Sequence, residues 1–165
     1  HLFYTGEING GKFKDFELKV RAKTFPKANS GVYFHTEYQD EGWPGKGYEC
    51  QVNSTHKDPK KTGSLYGVIN ILVLAEGQNR PKGGEHIERE KAPSTDGEWF
   101  DYYIIVKGRE IEIKVNGETT VKYTEPEGGP ASNFGGRRLS EGTFAIQAHD
   151  PDSEVHYERW AVKPL

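Results

Sequence analysis

The chain has 165 residues and a formal net charge of −3, with 22 Lys and Arg against 25 Asp and Glu. This balance excludes a strongly basic nucleic-acid-binding protein, and no apolar run approaches the ~20 residues that span a bilayer. We therefore expect no nucleic-acid partner, no membrane insertion by this chain, and one domain over residues 1–165. Cys50 is the only cysteine, so no disulfide forms within the chain.

Twenty Gly and nine Pro interrupt a chain that favours β-branched and aromatic residues, a composition typical of all-β domains. Alternating apolar and polar residues predict about nine strands, and no segment keeps a helical period over several turns. The predicted fold class is therefore an all-β, two-sheet sandwich or jelly roll. In chain order the predicted strands cover residues 13–25, 32–38, 48–53, 64–74, 101–107, 110–115, 119–123, 142–149 and 154–162.

The connections between these strands carry their own signals. Asn116 and Gly117 predict a tight hairpin. In the last strand the apolar residues change parity, which a β-bulge near Glu158 and Arg159 would explain. Two long segments without periodicity, residues 75–98 and 124–141, are expected to be functional or disordered loops.

The predicted strands differ in what their polar faces carry. The strand at residues 13–25 shows only Glu, Lys and Arg, as a solvated sheet face does. Three other strands present a phenol, imidazoles, amides and carboxylates, which suit a polyhydroxylated ligand, although each face alone fits ordinary packing equally well. If these three strands are neighbours, their side chains meet in one concave cleft. The side chains are Tyr33, His35 and Glu37; Glu49, Gln51 and Asn53; and Thr143, Gln147 and His149.

Loop residues would form the walls of such a cleft. Trp43 lies between turn-forming residues, where it serves either as a platform for a sugar face or as a cover over the core edge. Arg137 and Arg138 lie in the second long segment, and they either reach a ligand or remain solvated loop charges. Spaced His and Glu residues leave a divalent metal possible, but no His-Glu-x-x-His or similar motif marks a metal site.

Short motifs are distributed along nearly the whole chain. They are Phe13–Leu18, Asn29–His35, Gly47–Val52, Gly63–Gly67, Glu98–Trp99, Val106–Gly108, Val115–Gly117, Gly142–Asp150 and Val162–Leu165. In this order they resemble the 3-keto-disaccharide hydrolase family, and they are specific as a set although each is weak alone. The resemblance implies a concanavalin A-like jelly-roll sandwich, secretion or a periplasmic location in bacteria, and action on keto-sugars. No signal segment occurs in the chain itself.

The chemistry of a keto-sugar suggests roles for the candidate residues. A ketone at C3 of a glucoside acidifies the C2 hydrogen, so a base can remove it and expel the C1 substituent, after which water adds. By strand parity and motif position we interpret Glu49 as the base, with His35 and His149 polarising the ketone, directly or through a metal. The predicted substrate-binding residues are Tyr33, Trp43, Gln51, Asn53, Tyr66, Arg138 and Gln147.

Two other functions fit the same residues. A non-catalytic carbohydrate-binding module is the main alternative, because this type of fold hosts lectins as readily as hydrolases. A structural domain of a larger secreted protein is the third. The sequence leaves open which small-molecule or oligosaccharide substrate is taken, and which oligomeric state the protein adopts.

Overall fold

Two antiparallel β-sheets share one hydrophobic core in a computed structural model that describes residues 1–130 and 136–165. A short 3-10 turn, Ile8–Gly11, precedes the second strand. The strands are β1 (Leu2–Phe3), β2 (Phe16–Thr24), β3 (Ser30–Thr36), β4 (Tyr48–Val52), β5 (Ile69–Leu72), β6 (Glu85–Glu88), β7 (Phe100–Lys107), β8 (Glu110–Val115), β9 (Glu118–Thr124), β10 (Thr143–Ile146) and β11 (Val155–Pro164).

The strand order separates the molecule into two layers. The four-stranded sheet has the order β1-β10-β3-β4, and the five-stranded sheet has the order β11-β2-β7-β8-β9. β5 and β6 form a small parallel pair, which isolated bridges through Leu65 connect to β4. The predicted all-β, two-sheet jelly-roll sandwich is thereby confirmed.

The two sheets bury their strands differently. In β2 and β7 every second residue is buried, so one face packs on the core and the other meets solvent. In β3 and β4 every residue is buried, including Glu49 and Gln51. Apolar side chains such as Val32 and Cys50 face the core, whereas Tyr33, Glu49 and Gln51 lie on the opposite face, beneath loops.

Register shifts interrupt three of the strand pairs that the structure describes, and one of them lies between β8 and β9 at Ile113 and Lys114. The register between β11 and β2 shifts after Glu158, and Arg159 has a φ of 53°, so the predicted bulge is confirmed. The sequence pattern did not indicate the bulge where the register between β10 and β3 shifts opposite His35, whose φ is 57°. A left-handed residue of this kind turns its side chain away from the face that parity assigns to it.

The long segments also differ from expectation. Residues 75–98, predicted as an irregular loop, contain β6, which pairs with β5 through Ile87 and its neighbours. Of the second segment, 124–141, residues 131–135 lie outside the described residues. Within residues 1–130 and 136–165, no helix has the length and apolar character needed to cross a bilayer.

Candidate functional site

A cleft of about 500 Å³ lies on the outer face of the four-stranded sheet. Its floor comes from β3 and β4, on which Tyr33 and Glu49 are directly opposed cross-strand partners. The remaining lining comes from the chain after β10 and from four loops. The full lining is Asn29, Tyr33, Trp43, Pro44, Gly45, Gly47, Glu49, Gln51, Asp58, Tyr66, Gly136, Arg137, Gln147 and His149.

Glu49 is the buried carboxylate at the centre of this floor. Only 2% of the residue is exposed. Arg137 Nη2 donates to Oε2 over 3.3 Å, Gln147 Nε2 donates to Oε1 over 3.2 Å, and the Tyr33 hydroxyl is a further hydrogen-bond partner. The amide of Gln51 also lies 3.3 Å from Oε1. The carboxylate is therefore surrounded by donors from four different segments of the chain.

Gly31 provides the space for that carboxylate. A Cβ built on Gly31 would come within 2.5 Å of Glu49 Oε1 and 2.9 Å of its Cγ. The Glu49 side chain thus lies across the bare backbone of β3, and a side chain at position 31 would displace it.

Burial governs the ionisation of the floor. It raises the pKa of Glu49 above its ordinary value of 4.5, although the neighbouring Arg137 guanidinium opposes the shift. Burial also raises the pKa of Tyr33, and the negative charge of Glu49 adds to that effect. Tyr33 therefore remains a neutral donor, whereas Glu49 is a carboxylate with increased affinity for a proton.

A second acidic group stands on the wall of the cleft. Tyr66 Oη donates to Asp58 Oδ2 over 3.3 Å, and Lys60 Nζ donates to Tyr66 Oη over 3.2 Å. The Arg137 guanidinium lies 5.6 Å from the centroid of the Tyr66 ring, in cation–π range. Tyr66 thus contacts both the Asp58 carboxylate and the guanidinium that pairs with Glu49.

A buried lysine shapes the loop that carries Asp58. Lys61 is only 5% exposed, and its Nζ donates to His56 O over 2.6 Å and to Asp58 O over 2.9 Å. Asn53 supports the same loop, because its Nδ2 donates to Asp58 O and Lys60 O over 2.9 Å each. The prediction that Asn53 lines the cleft is wrong, since β4 ends at Val52 and the amide is used within the loop.

Trp43 and His149 form the rim. Their rings meet edge to face with centroids 4.3 Å apart, and Trp43 is 56% exposed. Of the two alternatives for Trp43, the structure supports an exposed ring at the cleft and not a cover over the core. Its indole face is accessible to a ligand that enters between the rim and the floor.

The prediction that His35 lies in the cleft is wrong. The bulge in β3 directs its imidazole to the other side, where it contacts the rings of Phe16 and Phe34 at centroid distances of 5.8 and 5.1 Å. Its two nitrogens bind backbone groups of Lys14 and Ser140. His35 is 1% exposed and does not line the cavity.

The prediction that Arg138 lies in the cleft is also wrong. Its side chain is exposed and donates to Gly128 O over 3.0 Å, whereas the adjacent Arg137 enters the cleft. The sequence places both arginines in one irregular segment, where no periodicity distinguishes them. Asn29 and Asp58 were missed because they lie in loops outside the parity pattern. Tyr33, Trp43, Glu49, Gln51, Tyr66, Gln147 and His149 are brought together as predicted.

The acidic and imidazole groups of the cleft are spread around its wall. Over residues 1–130 and 136–165, no three His, Cys, Asp or Glu side chains gather at a spacing that would hold a metal ion. Arg137 and Tyr66 occupy the positions beside Glu49 and Asp58 instead. The described side chains of the cleft thus form no ready set of metal ligands.

The sequence profile of a known family accounts for nearly all of the chain. The 3-keto-alpha-glucoside-1,2-lyase-like domain matches residues 6–163. The chain belongs to this family. Membership places it among carbohydrate-active domains, in agreement with the polar, sugar-sized cleft. Among curated proteins, no match to the chain was found.

Solved structures similar to this lyase-like domain share its fold. A "putative glycosyl hydrolase" of Parabacteroides distasonis superposes with a TM-score of 0.63 at 19% identity, over 99% of this chain and 75% of the other. A second one from the same organism gives 0.61 at 20% identity, over 93% and 80%. The carbohydrate-binding module CBM66 of Bacillus subtilis gives 0.54 at 10% identity, over 92% and 76%.

Proposed function

We propose that this lyase-like domain cleaves the glycosidic bond of 3-keto-glucosides, by elimination across C1 and C2 followed by addition of water. The observation that carries the proposal is Glu49, a buried carboxylate with a raised pKa at the floor of a cleft that can hold a sugar. Family membership supports the same reaction class.

The cleft has the features that recognise a sugar. The exposed Trp43 ring suits the apolar face of a pyranose, and buried amide and phenol groups suit its hydroxyls. Oε1 of Gln147 is buried, and no donor within residues 1–130 and 136–165 reaches it. Because an unpaired buried acceptor is costly, a substrate hydroxyl that donates to this oxygen would bind favourably.

The reaction proceeds through an enolate. Glu49 takes the proton from C2, and the electron pair of the C2–H bond moves into the C2–C3 bond as the ketone oxygen becomes negative. The enolate then restores the ketone, the C1–C2 double bond forms, and the C1–O bond breaks with its pair going to the leaving oxygen. That oxygen takes up a proton, and water subsequently adds to C1 and C2. The net change is hydrolysis.

The described residues supply what this sequence of steps needs. Glu49 is the base, and its raised pKa improves its match to a weakly acidic carbon. The Arg137 guanidinium beside it provides positive charge for the enolate oxygen, the role that the sequence suggested for His35 and His149. His149 lines the cleft at its rim, and we assign it the donation of the proton to the leaving oxygen in place of the polarising role suggested by the sequence.

The test compares oxidised and plain disaccharides in deuterated water. We expect the purified protein to cleave 3-keto-trehalose and to leave trehalose intact, with deuterium at C2 of the released keto-sugar at early times. Keto-sugar incubated alone controls for spontaneous exchange. Cleavage without deuterium at C2 would contradict elimination, and calorimetric binding of intact glycans without turnover would support a carbohydrate-binding module.

A further inference from the structure

The short segment at residues 136–141, here called the arginine segment, brings Arg137 into the cleft. It has no regular secondary structure, so the position of Arg137 depends on contacts with the rest of the fold. Three backbone groups of the segment are hydrogen-bonded to other elements. These bonds are Gly47 N to Gly136 O at 3.1 Å, Leu139 N to Glu125 Oε2 at 2.8 Å, and Ser140 N to His35 Nδ1 at 3.2 Å.

The spacing of these bonds restricts Arg137. One bond holds the residue immediately before it, and two hold the second and third residues after it. Gly136 also packs so closely on Gly45 that a Cβ would come within 1.6 Å of Gly45 O. Only Arg138 and Leu139 separate Ser140 from Arg137, so a shift of Ser140 would act on Arg137 over a short stretch of chain.

His35 can hold Ser140 in only one protonation state. Its Nε2 lies 2.8 Å from Lys14 O, an acceptor, so Nε2 carries the hydrogen. Its Nδ1 lies 3.2 Å from the Ser140 N–H, a donor, so Nδ1 presents a lone pair. The contacts therefore define the neutral tautomer with hydrogen on Nε2.

The surroundings of His35 maintain that state. Burial lowers the pKa of the imidazole below its ordinary value of 6.5, while the backbone of Lys14 and the carboxylates of Asp15, Glu125 and Glu141 act in the opposite direction. Protonation would place a hydrogen on Nδ1 against the Ser140 N–H and break the bond.

We propose that His35 is a positioning residue that holds Arg137 against Glu49 through Ser140. Its importance for turnover rests on the function proposed above, but its structural effect does not. The inference explains why a histidine with left-handed backbone geometry is buried beneath the cleft without lining it.

Two variants test the two ring nitrogens of His35 one at a time. The side-chain oxygen of His35→Asn can replace Nδ1 as the acceptor for Ser140, whereas the amide nitrogen of His35→Gln can replace Nε2 as the donor to Lys14. We expect Ser140 amide exchange to remain within about threefold of wild type in His35→Asn and to become about tenfold faster in His35→Gln. The amide of Gln51, bonded to Ser64 O, serves as the internal reference for an intact sheet.

The Arg137 signal and the turnover rate should distinguish His35→Asn from His35→Gln in the same way. The ¹⁵N signal of the Arg137 side chain, which reports its pairing with Glu49, should change in His35→Gln and not in His35→Asn. On 3-keto-trehalose, kcat/KM should fall about tenfold for His35→Gln and stay within about threefold for His35→Asn. If neither the wild type nor the variants cleave 3-keto-trehalose, the proposed function is refuted. The Arg137 signal then remains as the test of the role of His35.

Wild-type protein provides a test that needs no variant. Histidine ¹⁵N spectra should show His35 with an unprotonated Nδ1 near neutral pH. As pH falls and Nδ1 protonates, Ser140 exchange, corrected for its intrinsic pH dependence, should accelerate together with the change in the Arg137 signal. A protonated Nδ1 at neutral pH, or equal Ser140 exchange in the two variants, would overturn the inference.

Discussion

Two glutamates in the middle of strands show how the outer faces of the two sheets differ. Glu112, on the five-stranded sheet, accepts from Thr119 over 2.9 Å and has two lysine amines 3.6 Å away. Partial burial acts to raise its pKa, but these partners together lower it. Glu49 also has several donors, yet burial dominates and raises its pKa. Solvent access, and not the presence of partners, decides whether a strand glutamate is an inert surface charge or a candidate base.

The largest effect is expected from neutralising these two glutamates in turn. Glu49→Gln keeps the shape of the side chain but removes its ability to accept a proton, so kcat on 3-keto-trehalose should fall about 1,000-fold or more. Glu112→Gln is the matched control and should change kcat by less than about twofold. The measurement is steady-state turnover, with calorimetry to show that binding is retained. A fully active Glu49→Gln protein would remove Glu49 from its role.

The two adjacent arginines provide the next test. Arg137→Met should lower kcat/KM about 100-fold at pH 8, because it removes the positive charge beside the enolate. In the proposed mechanism Glu49 acts as a deprotonated base, and loss of the guanidinium, which lowers its pKa, would raise that pKa further. The acid limb of the pH profile should therefore move to higher pH, and the loss should be greater at pH 5.5 than at pH 8.

Arg138→Met is the control for that variant, since Arg138 is exposed and contacts Gly128 O. We expect an unchanged pH profile and a change in kcat/KM of less than about twofold. Equal losses in both arginine variants would indicate a general effect of charge and would argue against a specific pairing with Glu49.

The smallest effect concerns two exposed tryptophans. Trp43→Ala should raise KM about fivefold and leave kcat within about twofold, because in the proposed function the ring binds the sugar and takes no part in the chemistry. Trp160→Ala, on β11 of the five-stranded sheet, should change neither constant. Initial-rate measurements over a range of substrate concentrations distinguish the two variants. A lower kcat in Trp43→Ala would show that the ring also helps to position the substrate for the chemical step.

Strand alternation accounts for what the sequence predicts well. Period-2 patterns locate the principal strands of both sheets, and parity places Tyr33, Glu49 and Gln51 on one face because β3 and β4 pair without interruption between residues 30 and 34. Parity reversal in the last strand locates the bulge at Arg159. These features depend on residues that are close together in the chain, so they can be predicted from a single sequence.

The predictions fail where the backbone departs from regular strand alternation. His35 follows the correct parity in the sequence, but its left-handed backbone reverses its direction, and nothing in the surrounding residue types marks the change. Asn53 lies one residue beyond the end of β4. Arg137 enters the cleft and Arg138 does not, and the segment that carries them is bonded to His35 and Glu125, which are distant in the chain. Such contacts are determined only once the fold has assembled.

The bare backbone at Gly31 has a consequence for how this family can vary. Because the Glu49 carboxylate lies in the volume that a methyl group would fill, positions 31 and 49 on neighbouring strands are coupled. In a homologous chain with a larger residue at the first position, we expect the acid at the second position to be displaced, shortened or absent. Relatives that have exchanged this glycine are thus the ones in which a different chemistry, or sugar binding alone, should be sought.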